Sequence, residues 1–193
     1  VLQITDKLTT GAPHYVEMGH SQPTRHSKEI AKKISETAIA ANKAIGIKNG
    51  PSHTEIIITG EGPKIVEIGA RLGGDCITTH LVPLSTGVDM VECNIRIAMG
   101  EKPDISCKYN RGSAIRYLST ENGVIKNIKG LDAAKKTDGV VQVSIVHNVG
   151  DRVDGIKSSG DRVGFVIAQG RNAAEAIKSA ESALSTIKVE VHK

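Results

Sequence analysis

Residues 53–75, HTEIIITGEGPKIVEIGARLGGD, contain the three side chains with the most chemistry to offer: Glu55, Glu67 and Arg71. Two apolar runs, Ile56-Ile57-Ile58 and Ile65-Val66, flank Thr59-Gly60-Glu61-Gly62-Pro63, a glycine-containing connection of the kind that joins antiparallel strands. A loop centred on Glu61 places Glu55 directly opposite Glu67. Opposed residues in such a pair have Cβ atoms about 4.5–5.5 Å apart, and like charges there call for a cation. Alternation puts Ile57 on the face of Glu55, and Ile65, Gly69 and Arg71 on the face of Glu67. Mg²⁺ commonly takes one or two protein carboxylates and completes its octahedron with phosphates and water, so this set predicts a polyphosphate site. The plain alternative is a surface hairpin with two solvated glutamates, and the flanking sequence has to decide between them.

The elements that must hold this hairpin are legible from periodicity. Val1–Thr5 reads as a strand, Asp6–Pro13 as a polar loop, and His14–His20 as a short strand running into a loop. Glu17 and His20 lie three apart with Gly19 between them, so the chain can curl and aim both at one ligand; a strand end with ordinary polar residues is the simpler account. Ser27–Ile45 predicts a helix, with Ile30, Ile34, Ala38, Ala41 and Ile45 at helical spacing, Ser27 as N-cap and Gly46 as the stop. Beyond the hairpin, Ile77–Leu84 and Val88–Met99 read as two shorter helices. From Ser113 the pattern turns to strands at 114–118, 124–128 and 140–146, then strand 162–168, helix 172–184 and strand 187–191. The expected class is α+β (α/β), with a boundary near residues 103–112 dividing a unit at 1–105 from a smaller α+β unit at 106–193.

Composition sets bounds on these readings. The chain has 193 residues, 39% hydrophobic and 24% charged, ordinary for a soluble globular protein. No apolar run reaches the ~18 residues of a membrane helix, and no signal peptide is apparent, so a cytoplasmic protein without membrane partners is expected. Three cysteines, Cys76, Cys93 and Cys107, lack CxxC spacing, which points to free thiols rather than disulfides or zinc. The formal net charge of +4 is dispersed, and with no Trp, three Tyr and one Phe there is little for bases to stack on; nucleic acid is not an expected partner. The chain begins at Val1 without a methionine, which points to a larger functional unit.

The run Glu55…Val66-Glu67-Ile68-Gly69-Ala70-Arg71-Leu72-Gly73-Gly74-Asp75 resembles the metal and phosphate signature of the ATP-grasp superfamily, an acid followed about a dozen residues later by an E-x-N-x-R-type motif. With Tyr15–His20, Gly50–Glu55 and Gly62–Glu67, the resemblance is closest to carboxylate–amine ligases of the L-amino acid ligase type, related to carbamoyl-phosphate synthase large chains. It implies an antiparallel C-terminal lobe of an ATP-grasp domain with a small subdomain behind it. It implies ATP and Mg²⁺, with Mn²⁺ as an alternative ion, held by Glu55 and Glu67. Arg71 would be the catalytic cation on the transferring phosphoryl group and the acyl phosphate, with the Gly74 backbone beside it. Glu17 and His20 would contact the substrate amine and the intermediate, and Ile57 would floor the adenine. The expected partners are a small carboxylate, an amine and an N-terminal lobe in cis or as a separate subunit, with a homodimer as one expected assembly. The sequence departs from the pattern at Gly69, where the superfamily often has Asn as a further metal ligand.

From residues 1–193 alone, folding with poor ATP binding and no turnover is expected. Two other readings compete with an enzyme of this class: a non-catalytic ATP-grasp-derived module that binds a ligand or subunit, and a metal-dependent hydrolase built on His53, Glu55 and His80. The last lacks an HExxH-type spacing.

Overall fold

The computed structural model describes residues 1–193. In chain order the elements are β1 (Asp6–Thr9), β2 (Glu17–Gln22), α1 (Lys28–Ala44), β3 (His53–Thr59), β4 (Gly62–Gly69), a wide π-helical turn (Ile77–Leu81) running into α2 (Val82–Thr86), and α3 (Met90–Ala98). Then follow β5 (Gly112–Leu118), β6 (Gly123–Lys129), α4 (Leu131–Lys135), β7 (Val140–Ile145), β8 (Arg152–Val153), β9 (Gly164–Gly170), α5 (Ala173–Thr186) and β10 (Lys188–His192). The strands form a five-stranded sheet in the order β1-β2-β5-β9-β7, a three-stranded sheet β10-β6-β8 and the separate hairpin β3-β4. Every pairing is antiparallel. The mixed α/β class is as the sequence predicts.

Strand β5 is the axis of the molecule, with all seven residues buried. On one face it meets α5, whose Ala176, Ala180 and Ala183 are fully buried against Ala114, Val166 and Ala168. Small side chains at this helical spacing let the helix lie close on the sheet, and the area removed from water is the main stabilising term. On the other face Ile115, Tyr117 and Ile167 pack with Leu81 from the π-helical turn. The two faces have different work: one is core, and the other carries Tyr117 towards the segment that follows the hairpin.

Helix α1 forms where predicted. The Ser27 side chain accepts from the Ile30 N–H as an N-cap, and Ile34 is buried. The helix lies on one face of the hairpin, where Asn42 donates to the Thr54 hydroxyl at 3.3 Å.

Three local expectations are corrected. Val1–Thr5 is not a strand; β1 forms at Asp6–Thr9, inside the stretch expected to be a loop. As an edge strand it needs no apolar alternation, and the Asp6 carboxylate is held by the Thr24 hydroxyl and the Arg25 N–H. The first helix after the hairpin starts as a π turn and runs to Thr86, with Pro83, which has no N–H to give, in its second half. Helix α3 starts at Met90 rather than Val88, because the Asp89 carboxylate caps the N–H groups of Val91 and Glu92. The boundary was expected near residues 103–112; residues 99–111 hold no helix or strand and β5 begins at Gly112, yet the five-stranded sheet takes two strands from before this segment and three from after it.

Candidate active site

Glu55 faces Glu67 across the hairpin, as the sequence predicts, but by a different route. The turn is the tight Gly60-Glu61 pair, so the ladder begins with Thr59 opposite Gly62 and Ile56 opposite Ile65. Continued regularly, that register sets Val66 against Glu55. Instead Val66 is looped out as a bulge, and Glu67 takes its place. The bulge also reverses the expected face of Ile65. Being opposite Ile56, it lies on the other side from Glu67, while Lys64 joins Ile57 on the carboxylate side.

Strand β4 ends at Gly69, so Arg71 belongs to the bend beyond it and reaches back to Glu67, with Nη2 to Oε1 at 3.0 Å. Both side chains are more than half exposed. Ile57 is on the face of Glu55 and is 56% exposed, an apolar surface with nothing on it.

A second bulge serves Glu17 and His20. In the β1–β2 ladder Leu8 pairs with Gly19 and Thr9 with Glu17, so Met18 is the extra residue. Residues three apart in a strand normally point to opposite faces. Looping out Met18 brings Glu17 onto the face shared by His20 and its partner Lys7.

Lys7 was not legible as a site residue, and it joins the two halves. Its Nζ is 2.8 Å from Glu55 and 3.3 Å from Glu17. Burial works against the Lys7 charge, but Glu55 and then Glu17 hold its pKa above the ordinary value. The Glu17 carboxyl is correspondingly lowered: burial pushes it up, and its own backbone N–H and Lys7 more than reverse that.

The buried end of the site centres on Asp75. Its carboxylate accepts two hydrogen bonds from the Arg162 guanidinium, both at 2.9 Å, and a third from His20 Nε2 at 3.2 Å. Burial raises the Asp75 carboxyl, but His20 and Arg162 together hold it well below the usual carboxylate range. Arg162 stacks on the Tyr117 ring at 3.8 Å, and Tyr117 donates its hydroxyl to the Asp75 carbonyl at 3.2 Å. A cleft of about 300 Å³ opens here, lined by Asp75, Cys76, Tyr117, Val146, Arg162 and Phe165. Asp75, Tyr117 and Arg162 were all missed from sequence. Asp75 was visible only as the end of the GGD run, and Arg162 lies 87 residues further on.

Gly74 is exposed at the turn between Arg71 and Asp75, with open space where a Cβ would be. The Cys76 thiol is half-buried and its pKa is pushed up, by burial first and then by Asp75, as suits an inert thiol. The His53–Glu55–His80 cluster does not form. His80 Nδ1 lies beside the Thr79 hydroxyl, and no group of three His, Cys, Asp or Glu residues is placed to hold a metal.

For Mg²⁺ the donor set fits one arrangement only. Glu55 and Glu67 are hard oxygen donors, opposed, and each already engaged by a cation, Lys7 and Arg71 respectively. With no third protein ligand, the remaining positions on an ion would fall to phosphates and water, which is how magnesium is held beside a nucleotide.

The ATP-grasp domain model matches residues 1–79, and the model of L-amino acid ligase C-terminal domain 2 matches residues 116–192. An L-arginine-specific L-amino acid ligase of Bacillus subtilis is 29% identical over 132 residues, covering 67% of this chain and 32% of the relative. The L-amino acid ligase structure from Bacillus licheniformis superposes with a TM-score of 0.86 at 21% identity, over 100% of this chain and 48% of that one. Phosphoribosylglycinamide synthetase from Anaerococcus prevotii does so at 0.86 and 20%, over 98% and 49%. The chain thus spans about half the length of these solved structures and about a third of its first curated relatives. Residues 1–79 are thus similar to an ATP-grasp domain and residues 116–192 to the second C-terminal domain of L-amino acid ligases, and the chain shares the fold of the matching halves of these structures along its length.

Proposed function

We propose that residues 1–193 supply the metal-, phosphate- and amine-binding part of an ATP-dependent carboxylate–amine ligase, with residues 1–105 as the C-terminal lobe of the ATP-grasp domain and 106–193 as the small subdomain. The observation that carries this reading is one chain of contacts. Arg71 is on Glu67, Glu67 is opposite Glu55, and Lys7 joins Glu55 to Glu17. A carboxylate pair for metal–phosphate is thereby linked directly to the carboxylate assigned to the amine.

In this reading a carboxylate oxygen of one substrate attacks the γ-phosphorus of ATP, and ADP leaves. The amine then attacks the acyl phosphate carbon, and inorganic phosphate leaves with one of the original carboxylate oxygens. Glu55 and Glu67 would hold Mg²⁺, which when bound would supply neutralisation of phosphate charge. Arg71 is exposed and held only by surface contacts with the Glu67 carboxylate and the Leu72 carbonyl, which its planar fork can exchange for bidentate binding of the transferring phosphoryl group. Positioning and charge neutralisation are what phosphoryl transfer asks of a protein. The open apolar surface at Ile57 suits an adenine ring, and Gly74 lets phosphate approach the backbone without a side chain in the way. Glu17 is a lowered carboxyl and so an anion at neutral pH, fitted to an ammonium or attacking amine; His20 lies on the same face. The other lobe of the nucleotide clamp is expected in cis or from another subunit, and the amine and carboxylate are small molecules.

The test is ATP consumption by the complete gene product across a panel of amino acids and other carboxylates. Glu67→Gln and Arg71→Ala should each lose about 100-fold or more, the scale of removing one preorganised charge from a transition state. Unchanged rates in both variants would reject the site.

A further inference from the structure

We propose that Arg162 is a positioning residue for the amine end of the site: through Asp75 it fixes which nitrogen of His20 carries the proton, and through the Glu17 carbonyl it fixes the strand that bears both amine-side residues. The words "amine end" rest on the ligase reading; the hold on His20 does not.

Arg162 lies outside the residues matched by the ATP-grasp domain model and sits just before β9, in the second half of the chain. It is only 11% exposed and almost fully used. Nη1 and Nη2 take the two oxygens of Asp75, Nη1 also reaches the Glu17 carbonyl at 3.2 Å, and Nε donates to the Ser159 carbonyl at 2.9 Å. The face of the guanidinium lies on Tyr117. A lysine could supply the charge but not this planar fork.

Asp75 is held in an uncommon state by these contacts. It has φ of +51°, and Cys76 after it +60°, left-handed conformations that non-glycine residues adopt at a cost. Strain of this kind is kept where the surroundings over-determine it, often at functional sites. Its result here is that one carboxylate oxygen meets His20.

That contact decides the tautomer. An ionised carboxylate only accepts, so His20 Nε2 must carry a hydrogen, and in the neutral ring that leaves Nδ1 as a bare acceptor. Nδ1 is buried and is the one buried side-chain polar atom in the chain without a hydrogen-bond partner. His20 itself is 3% exposed. A purely structural position has no use for an imidazole with an unpaired nitrogen, since an apolar side chain would fill the space without it. A site that needs a neutral nitrogen base in a set orientation does. The carboxylate–imidazole pair is the usual way of fixing one, and Arg162 is what immobilises the carboxylate.

Two measurements test this. The first is the protonation pattern of the ring nitrogens in ¹⁵N-labelled protein, read by long-range ¹H–¹⁵N spectra at about pH 8, above the ordinary histidine range. His20 is assigned by its loss in His20→Gln. The wild type should show a single form, protonated at Nε2 and bare at Nδ1. In Arg162→Gln, Asp75 is released and the two nitrogens should shift towards an average of both tautomers, with Arg162→Lys in between. Wild-type nitrogen shifts for His20 in Arg162→Gln overturn the proposal. If that variant does not fold, Asp75→Asn replaces it. Its amide can also donate to Nε2, so the same averaging is expected, and an unaltered pattern again overturns it.

The second is the kinetics of the complete gene product. Arg162→Lys should raise the amine KM about tenfold with the ATP KM within about twofold, the signature of misplacing one substrate's contacts. Asp75→Asn combined with Arg162→Lys should cost clearly less than the sum of the two single variants, because both remove the Arg162–Asp75 contact, while the contact with the Glu17 carbonyl is lost only with Arg162. Equal effects on both substrates, or fully additive losses, count against positioning. If the wild type ligates nothing, the ligase reading falls, and the spectra still decide whether Arg162 governs His20.

Discussion

Glu55 stands directly opposite Glu67 because Val66, between Ile65 and Glu67, is looped out of the ladder. Deleting Val66 lets Glu67 fall into the regular register opposite Glu55, so the pair survives without the bulge. Mn²⁺ binding by the complete gene product with ATP, followed by electron paramagnetic resonance, should stay within about threefold of wild type in this deletion. In Glu67→Gln it should weaken about tenfold or more, as a hard cation loses one of two protein ligands. A deletion as damaging as Glu67→Gln would mean that the bulge, not the pairing, makes the site.

Lys7 holds Glu17 and Glu55 together, but all three side chains are about one-third exposed. Lys7→Met should cost less than about 1 kcal/mol in urea unfolding at low salt. The difference should shrink in 1 M salt, where the screening length is about 3 Å. A loss several times larger, or one indifferent to salt, would show that Lys7 is a structural anchor rather than a counterion at an open site.

The Asp75 carboxyl has a folded pKa lowered by His20 and Arg162. A lowered acid stabilises the fold above its unfolded pKa, about 3.9, and that contribution is lost as pH falls through the folded value. Asp75→Asn should therefore be less stable than wild type at pH 7, by roughly 1–3 kcal/mol for charged hydrogen bonds. The gap should close as pH drops below 4. Parallel stability curves for the two proteins between pH 5 and pH 2.5 would refute the assigned ion pair.

At Gly112 a Cβ would sit 1.9 Å from the carbonyl oxygen of Asn172, the residue that caps α5. Backbone cannot give way as a side chain does, so Gly112→Ala should destabilise the fold by about 2–3 kcal/mol or more. Thermal unfolding reads this directly, and a neutral substitution would mean that β5 and the start of α5 are not in close contact.

Local patterns and long-range pairings were unequally visible in the sequence. The hairpin, the Ser27 cap and the strands of the second half follow from period, turn residues and capping chemistry, whereas the Glu55–Glu67 opposition, expected from a loop centred on Glu61, is made by the Gly60-Glu61 turn together with the Val66 bulge. The bulges at Met18 and Val66 do not follow from such patterns, because an extra residue in a ladder leaves no mark on either period. Nor does the placing of β2 beside β5, which brings Glu17 and His20 next to residues almost a hundred positions away. Arg162 reads as one more surface arginine until β9 lies beside β5 and sets it over Tyr117. Lys7 was hidden for a different reason. Edge strand β1 is too short and too polar to announce itself, so its one cation looked like part of a loop.

In the proposed reaction the carboxylate substrate is activated by phosphoryl transfer at Glu55, Glu67 and Arg71. The most direct test is to supply the complete gene product with ATP, an amine and a carboxylate carrying ¹⁸O in both oxygens, and to weigh the phosphate released. An acyl phosphate breaks so that the phosphate keeps one substrate oxygen, and each phosphate should therefore contain one ¹⁸O. Phosphate free of label while the amide forms, or ATP cleaved to AMP and pyrophosphate, would contradict the mechanism assigned to this site.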